Sequence, residues 1–204
     1  MIAAPLEFVN TLRYGCRMDE RLNQQAWLDA GLTKLAEEGP QSLKVMGIAQ
    51  YLGVTKGSFY WHFSDLQAYK GALLQEWESK HTHDLIQQAG RASSDARVKL
   101  RFLLTTALAQ KSALGSAIRA WALTDEHVAQ AQNRVDQDRL SYVTQVLHEM
   151  GWPAADAAAL ARWIYYAVIG YFNTAGDTLS ERDMDLYLAM FDVVPPGAGM
   201  QGGN

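Results

Sequence analysis

Residues 55–62 read Thr-Lys-Gly-Ser-Phe-Tyr-Trp-His, and most of these residue types can hold a phosphate. Lys56 supplies charge, the hydroxyls of Thr55 and Tyr60 supply hydrogen bonds, and Ser58 is short enough to meet a base edge or a neighbouring phosphate. Gly57 removes a side chain where a backbone N–H must approach that phosphate closely. Lys44 adds a second cation upstream. Between Gln41 and Ser64 there is no acidic residue, and Lys44 and Lys56 are the only formal charges. Trp61 and His62 add ring surface. This chemistry suits grip on a phosphate backbone and its groove. The competing reading is a short amphipathic core helix whose polar residues have no task.

Such residues must be carried on an element that can lie in a groove, and "IAQYLGVTKGSFYWHF" supplies one: short helix, glycine, short helix, the grammar of a helix–turn–helix. Gly53 sits at the reversal and is expected at positive φ, with Val54 filling the corner. Thr55 is expected to cap the second short helix, its hydroxyl accepting from the N–H of Gly57 or Ser58. Phe59 and Phe63, four apart, share a face and are assigned to the core against Ile48 and Leu52. Lys56, Gly57, Ser58, Tyr60, Trp61 and His62 are thereby left to the outer and flanking faces.

The rest of the 204 residues reads as all-α. A first helix is expected over about 20–38, with Leu28, Leu32 and Leu35 as its stripe and acid in its first turn. A second opens after Ser42, a third at Thr55, and a long fourth near Ser64–Asp65. A polar break follows at 89–95. Further helices are expected near 95–111, 112–122, 126–150, 154–175 and 181–193. Residues 1–17 have no clean period and read as an extension, and 195–204 are too rich in glycine and proline for an ordered element. The division is therefore a three-helix DNA-binding head over 18–64 and a C-terminal helical domain over 65–194.

The head resembles the N-terminal segment of TetR-type transcriptional regulators. The resemblance rests on Ile48, Ala49, Gly53, Val54, Thr55, Lys56, Gly57, Phe59, Tyr60, His62 and Phe63, and extends over about 45 residues. "IRAWAL" and "VDQDRL" are similar to that family's regulatory domain. It implies a homodimer that binds a double-stranded DNA operator, with a variable small-molecule effector domain behind the head. Two departures stand out. Leu66 occupies a place where the family usually has a base, leaving Lys70 one turn later as an imperfect substitute. Leu43–Lys44 stand where small hydroxyl residues are common, so that Lys44 supplies charge instead.

The C-terminal domain is rich in rings, most of which must serve core and subunit interface. Trp77, Phe102, Trp121 and Tyr165 are the candidates for lining an apolar effector cavity. Trp163, Tyr166, Ile169 and Tyr171, with Met184, Leu188 and Phe191, are the candidates for a four-helix interface with the twin chain. "WIYYAVIGYF" is about half the length of a membrane span, so no membrane partner is expected. The net charge of −4 gives no global basic signature, so nucleic-acid contact must be local. Cys16 is the single cysteine, which suits a reducing, cytoplasmic compartment. His81 and His83 fall on nearly opposite helix faces and read as solvated. His127 and His148 are isolated, and the runs 95–101 and 136–139 read as exposed mixed-charge faces. No catalytic constellation, metal site or cofactor is expected. The function so read is a regulator, most simply a repressor released by an apolar or amphipathic ligand. The alternatives are an all-α enzyme with a ring-lined pocket and a ligand-independent architectural or division factor.

Overall fold

Among the residues that the computed structural model describes, 23–109, 113–174 and 180–191, every regular element is helical. The expected extension 1–17 with Cys16 and the tail 195–204 lie outside the described residues. Helix α1 is Gln24–Glu38, and it starts later than the expected residue 20. Asn23 is extended (φ −68°, ψ 164°) and its side chain accepts from the Ala26 N–H at 2.9 Å, which caps the helix there. Pro40–Ser42 form a 3-10 turn, and the Ser42 hydroxyl donates to the carbonyls of Lys34 and Gly39. Ser42 is thus spent before the next helix, and α2 begins at Val45 and runs to Tyr51.

Helix α2 closes on Gly53 at φ +69°. The Gly53 N–H donates to the Gln50 carbonyl and the Val54 N–H to that of Ala49, the paired bonds of a glycine-terminated helix. Helix α3 is the single turn Lys56–Phe59, and bonds from His62 and Phe63 to the Phe59 carbonyl carry the coil on to residue 63. Helix α4, Leu66–Glu78, is capped by Asp65, which accepts from the Ala68 N–H at 2.8 Å. It passes without a break into a π turn, Ser79–His83, and then into α5, Asp84–Ala92. The expected break at 89–95 therefore begins only after Ala92. Ala89 is fully buried, and its packing holds the last turn helical.

Helices α6 (Ala96–Ala109), α7 (Ala113–Ala122), α8 (Glu126–Glu149), α9 (Ala154–Phe172) and α10 (Glu181–Ala189) complete the described chain. Two cores hold it. One joins Trp27, Leu35, Ile48, Phe59, Phe63, Tyr69 and Trp77 to Ile118, Trp121, Val128 and Val135, so it runs from the head through α4 into α7 and α8. The other gathers Leu100, Leu104, Val146, Leu147, Ala157, Ala161 and Ile164 with Met184 and Leu188 of α10 and Phe191 just beyond it. None of the described helices is long and apolar enough to cross a membrane.

Candidate nucleic-acid interface and effector cavity

The face of α3 is set from below. Phe59 is completely buried and meets Trp27, Phe63 and Tyr69 with ring centroids 5.2–5.4 Å apart, and Phe63 meets Tyr69 at 4.8 Å. The edge-to-face contacts of Phe59 with Trp27 and Tyr69 and of Phe63 with Tyr69 add to plain burial. The Tyr69 hydroxyl donates to the Trp27 carbonyl at 2.7 Å. It can do so because Gly31 leaves the space: a Cβ there would lie 1.9 Å from that oxygen. With Phe59 and Phe63 held inward, Thr55, Lys56, Gly57 and Tyr60 stand exposed, Trp61 is 82% exposed, and Ser58 and His62 are half-buried. The Lys56 ammonium sits 5.8 Å from the Tyr60 ring centroid, which aligns the two on one side. Lys44 is exposed at the extended residue before α2, and Met46 and Tyr51 of that helix are also exposed.

Two local expectations change. Thr55 occupies the extended capping position, but its side chain makes no cap bond; its backbone carbonyl takes the Ser58 N–H instead, at 3.1 Å. The hydroxyl is therefore not consumed by the helix end. Lys70 turns toward the body, with its ammonium 5.4 Å from the Trp121 ring centroid, and does not replace the missing base at Leu66.

Behind the head lies a cavity of about 120 Å³ between α4, the π turn and α5 to α9. Trp77 and Tyr165 line it, as do Leu100, Leu103, Leu104, Ile164, Val168 and Phe172. Phe102 and Trp121 are not among its lining residues. On α6 the cavity takes Leu100, Leu103, Leu104 and Ala107, a helical stripe that leaves Phe102 to one side. Trp121 is buried in the first core under Lys70.

The cavity also has a polar wall that the sequence reading left on the surface. Arg119 of α7 donates to both oxygens of Asp136 of α8, at 3.1 and 2.8 Å, and its Nη2 donates to the Tyr165 hydroxyl at 2.8 Å. That hydroxyl in turn donates to Asp136 at 2.6 Å. Burial pushes the Tyr165 hydroxyl up from its ordinary value, against the charge of Arg139 and with help from its bond to Asp136. Arg139 donates from Nε to the Thr82 hydroxyl at 3.1 Å and from Nη2 to the His81 carbonyl at 2.9 Å. His81 lines the cavity, and burial first, then the charges of Arg139 and Lys80, lower its pKa. His83 faces outward toward Asp138 at 3.2 Å. Gln132 is 5% exposed, lines the same wall, and its Oε1 has no hydrogen-bond partner. The signal was present: Gln132, Asp136, Arg139 and Val143 recur at the spacing of one helix face. Reading 136–139 as a charge run obscured it.

The subunit-interface candidates also divide. Trp163 and Tyr166 of α9 are 52% and 63% exposed, whereas Ile169 lines the cavity and Tyr171 is half-buried against the second core. Met184, Leu188 and Phe191 are buried in that core, packed by their own chain. The outward apolar face of α10 is instead Leu186, Tyr187 and Met190.

Residues 28–76 match the family model of bacterial regulatory proteins, tetR family. Over 72 residues the chain is 33% identical to the tetracycline repressor protein class D of Escherichia coli, which covers 35% of this chain and 33% of that protein. The chain therefore aligns with about a third of the length of the curated relatives it matches. Among solved structures it is similar to a TetR transcriptional regulator from Legionella pneumophila, with a TM-score of 0.68 and 16% identity over 83% of this chain and 95% of that one. A putative TetR-family regulator from Rhodococcus sp. gives a TM-score of 0.61 at 21% identity, over 87% and 99% of the two chains. At these identities the likeness shows the fold.

Proposed function

Because residues 28–76 match the family model of bacterial regulatory proteins, tetR family, we propose that this chain is a sequence-specific DNA-binding transcriptional regulator, a homodimeric repressor that a small molecule releases from its operator. The observation that carries the reading is the divided ring cluster of α3. Phe59 and Phe63 are fully committed to the core, while Lys56, Tyr60 and Trp61 are presented outward in a stretch free of acid. Lys56, Thr55 and Tyr60 take phosphates, the Gly57 backbone approaches one closely, and Ser58, Trp61 and His62 face the groove. Lys44 reaches the backbone from the start of α2.

Helix α4 links the two functions. Its first turn adjoins the end of α3, and its last turn places Trp77 both in the head-side core and in the cavity wall. An occupant that moves Trp77 moves the lever on which the head is mounted. Shifting a dimer from 99:1 to 1:99 in its binding-competent arrangement takes about 5.5 kcal/mol of differential ligand affinity. Trp163 and Tyr166 with Leu186, Tyr187 and Met190 form the subunit interface of the twofold dimer. Regulation, and not turnover, is the role of the cavity, and the cytoplasm is its place.

Footprinting on the DNA that flanks its own gene tests the proposal. Two protected half-sites are expected about 34 Å apart, or somewhat wider. Absence of protection there, together with failure to enrich any sequence from randomised duplexes, would contradict it.

A further inference from the structure

The cavity's charges do not balance. Two guanidinium groups, Arg119 and Arg139, line it, and no Asp or Glu is among its lining residues. Asp136, just behind the wall, is fully engaged by Arg119, Tyr165 and Gln132. Among the described residues no carboxylate pairs with Arg139. Two of its five N–H donors go to neutral oxygens, the Thr82 hydroxyl and the His81 carbonyl. Gln132 donates to Asp136 through its Nε2, but its Oε1 on that wall has no hydrogen-bond partner.

The two oxygens that hold Arg139 belong to the π turn. There the Asp84 N–H reaches back to the Ser79 carbonyl, one residue further than in an α-helix. The guanidinium also lies 6.0 Å from the Trp77 ring centroid, at the end of α4. Arg139 therefore fastens α8 to the wide turn at which the head-bearing helix becomes α5.

We propose that the effector is a small monocarboxylate on an apolar body of about one ring, and that its carboxylate draws Arg139 away from the His81 carbonyl and so loosens the π turn. This deepens the regulator reading and rests on it for the consequence at the head. Size follows from the cavity: about 120 Å³ compares with the roughly 150 Å³ cavity that admits benzene. Charge follows from Arg139, because a hydrogen bond to an ionised acceptor is about twice as strong as one to a neutral carbonyl. A carboxylate fits one guanidinium edge with two parallel bonds, leaving its body against Leu103, Ile164, Val168 and Phe172. A phosphate would bring more charge than a single uncompensated guanidinium can meet.

The test is calorimetric binding to the full chain without DNA, so its outcome is independent of whether an operator is found. The probes are benzoate and hexanoate, their amides benzamide and hexanamide, and inorganic phosphate. At least one acid is expected to bind roughly tenfold or more tighter than its amide. Arg139→Met should abolish that preference while leaving amide binding intact, which also shows that the cavity is still folded. Hydrogen exchange at the amides of residues 80–84 should accelerate with the bound acid in the unsubstituted chain. The proposal is overturned if neither acid binds, if amides match the acids, if the preference survives Arg139→Met, or if phosphate binds as tightly. Unchanged or slowed exchange at 80–84 overturns the loosening of the π turn.

Discussion

Phe59, Phe63 and Tyr69 come from one short stretch of chain, whereas the polar wall of the cavity brings Arg119, Tyr165 and His81 to Asp136 and Arg139 from separate helices. The head's ring cluster is dry and apolar, with one buried hydroxyl given a specific acceptor. The cavity wall is charged, its Arg119–Asp136 pair is partly exposed, and it holds more cation than anion. The DNA-reading role proposed for the outer face of α3 needs a rigid mount, and the tight cluster is suited to supply it. The switching role proposed for the cavity needs groups able to exchange partners, and Arg139, held by two neutral oxygens, fits that need. The contrast teaches where each function stores its tolerance: the head tolerates change on its exposed face and little beneath it, the cavity the reverse.

The largest expected effect attacks the mount. Phe59→Ala removes the ring that meets Trp27, Phe63 and Tyr69, and should destabilise the protein by about 3–5 kcal/mol in urea unfolding. Tyr60→Ala removes a half-exposed ring set edge-to-face on Phe59 at 5.3 Å, and should cost only about 1 kcal/mol of stability while weakening duplex binding. Equal destabilisation by the two would erase the distinction between the faces of α3.

Two glycines sharpen the same point at lower cost. Gly31→Ala drives a methyl into the Tyr69 hydroxyl and to 2.5 Å from Leu73, for a loss of about 2 kcal/mol. Gly57→Ala meets nothing nearer than the Thr55 hydroxyl at 3.7 Å, and should hold or slightly raise stability, since alanine favours helix. Its cost should appear in duplex affinity alone. Circular dichroism melts paired with anisotropy titrations separate the two outcomes.

On the cavity side, Asp136→Ala deprives Arg119, Tyr165 and Gln132 of their shared acceptor. The pair is partly exposed, so the loss should be about 1–2 kcal/mol and not that of a fully buried ion pair. The smallest effect belongs to His81, whose folded pKa lies below its ordinary 6.5 through burial and the nearby cations. The unfolded chain then binds the proton more readily. This contribution is complete above about pH 6.5 and fades as pH falls through the folded value. Urea midpoints between pH 5 and 8 should show a slight acid-side decline that His81→Gln removes.

The head was legible because its information is local. Gly53, Phe59 and Phe63 lie within one stretch of eleven residues inside the acid-free window 41–64, and the spacing of four decides which rings go inward. The C-terminal domain was less so because its groups are brought together by packing. Nothing within "ALARWIYYAVIGYF" says that Ile169 turns to a cavity while Tyr166 turns out, or that α10 buries Met184 and Leu188 in its own chain. Lys70 escaped for the same reason: its partner, Trp121, comes from α7. Arg139 and His81 were closer to reach, since the stripe through Gln132 and Val143 was already written in the helical period. What no local pattern contained was the π turn, which rotates His81 and Thr82 toward α8.

The central claim is that the outward face of α3 grips a DNA backbone, and the salt dependence of duplex binding tests it most directly. For the selected operator duplex, a plot of log affinity against log salt should fall steeply for the unsubstituted chain. For Lys56→Ala its slope should be shallower by about 0.9, with affinity lost for all sequences alike. An identical slope for the two proteins, or loss confined to one base position, would contradict the assignment of Lys56 and of this face.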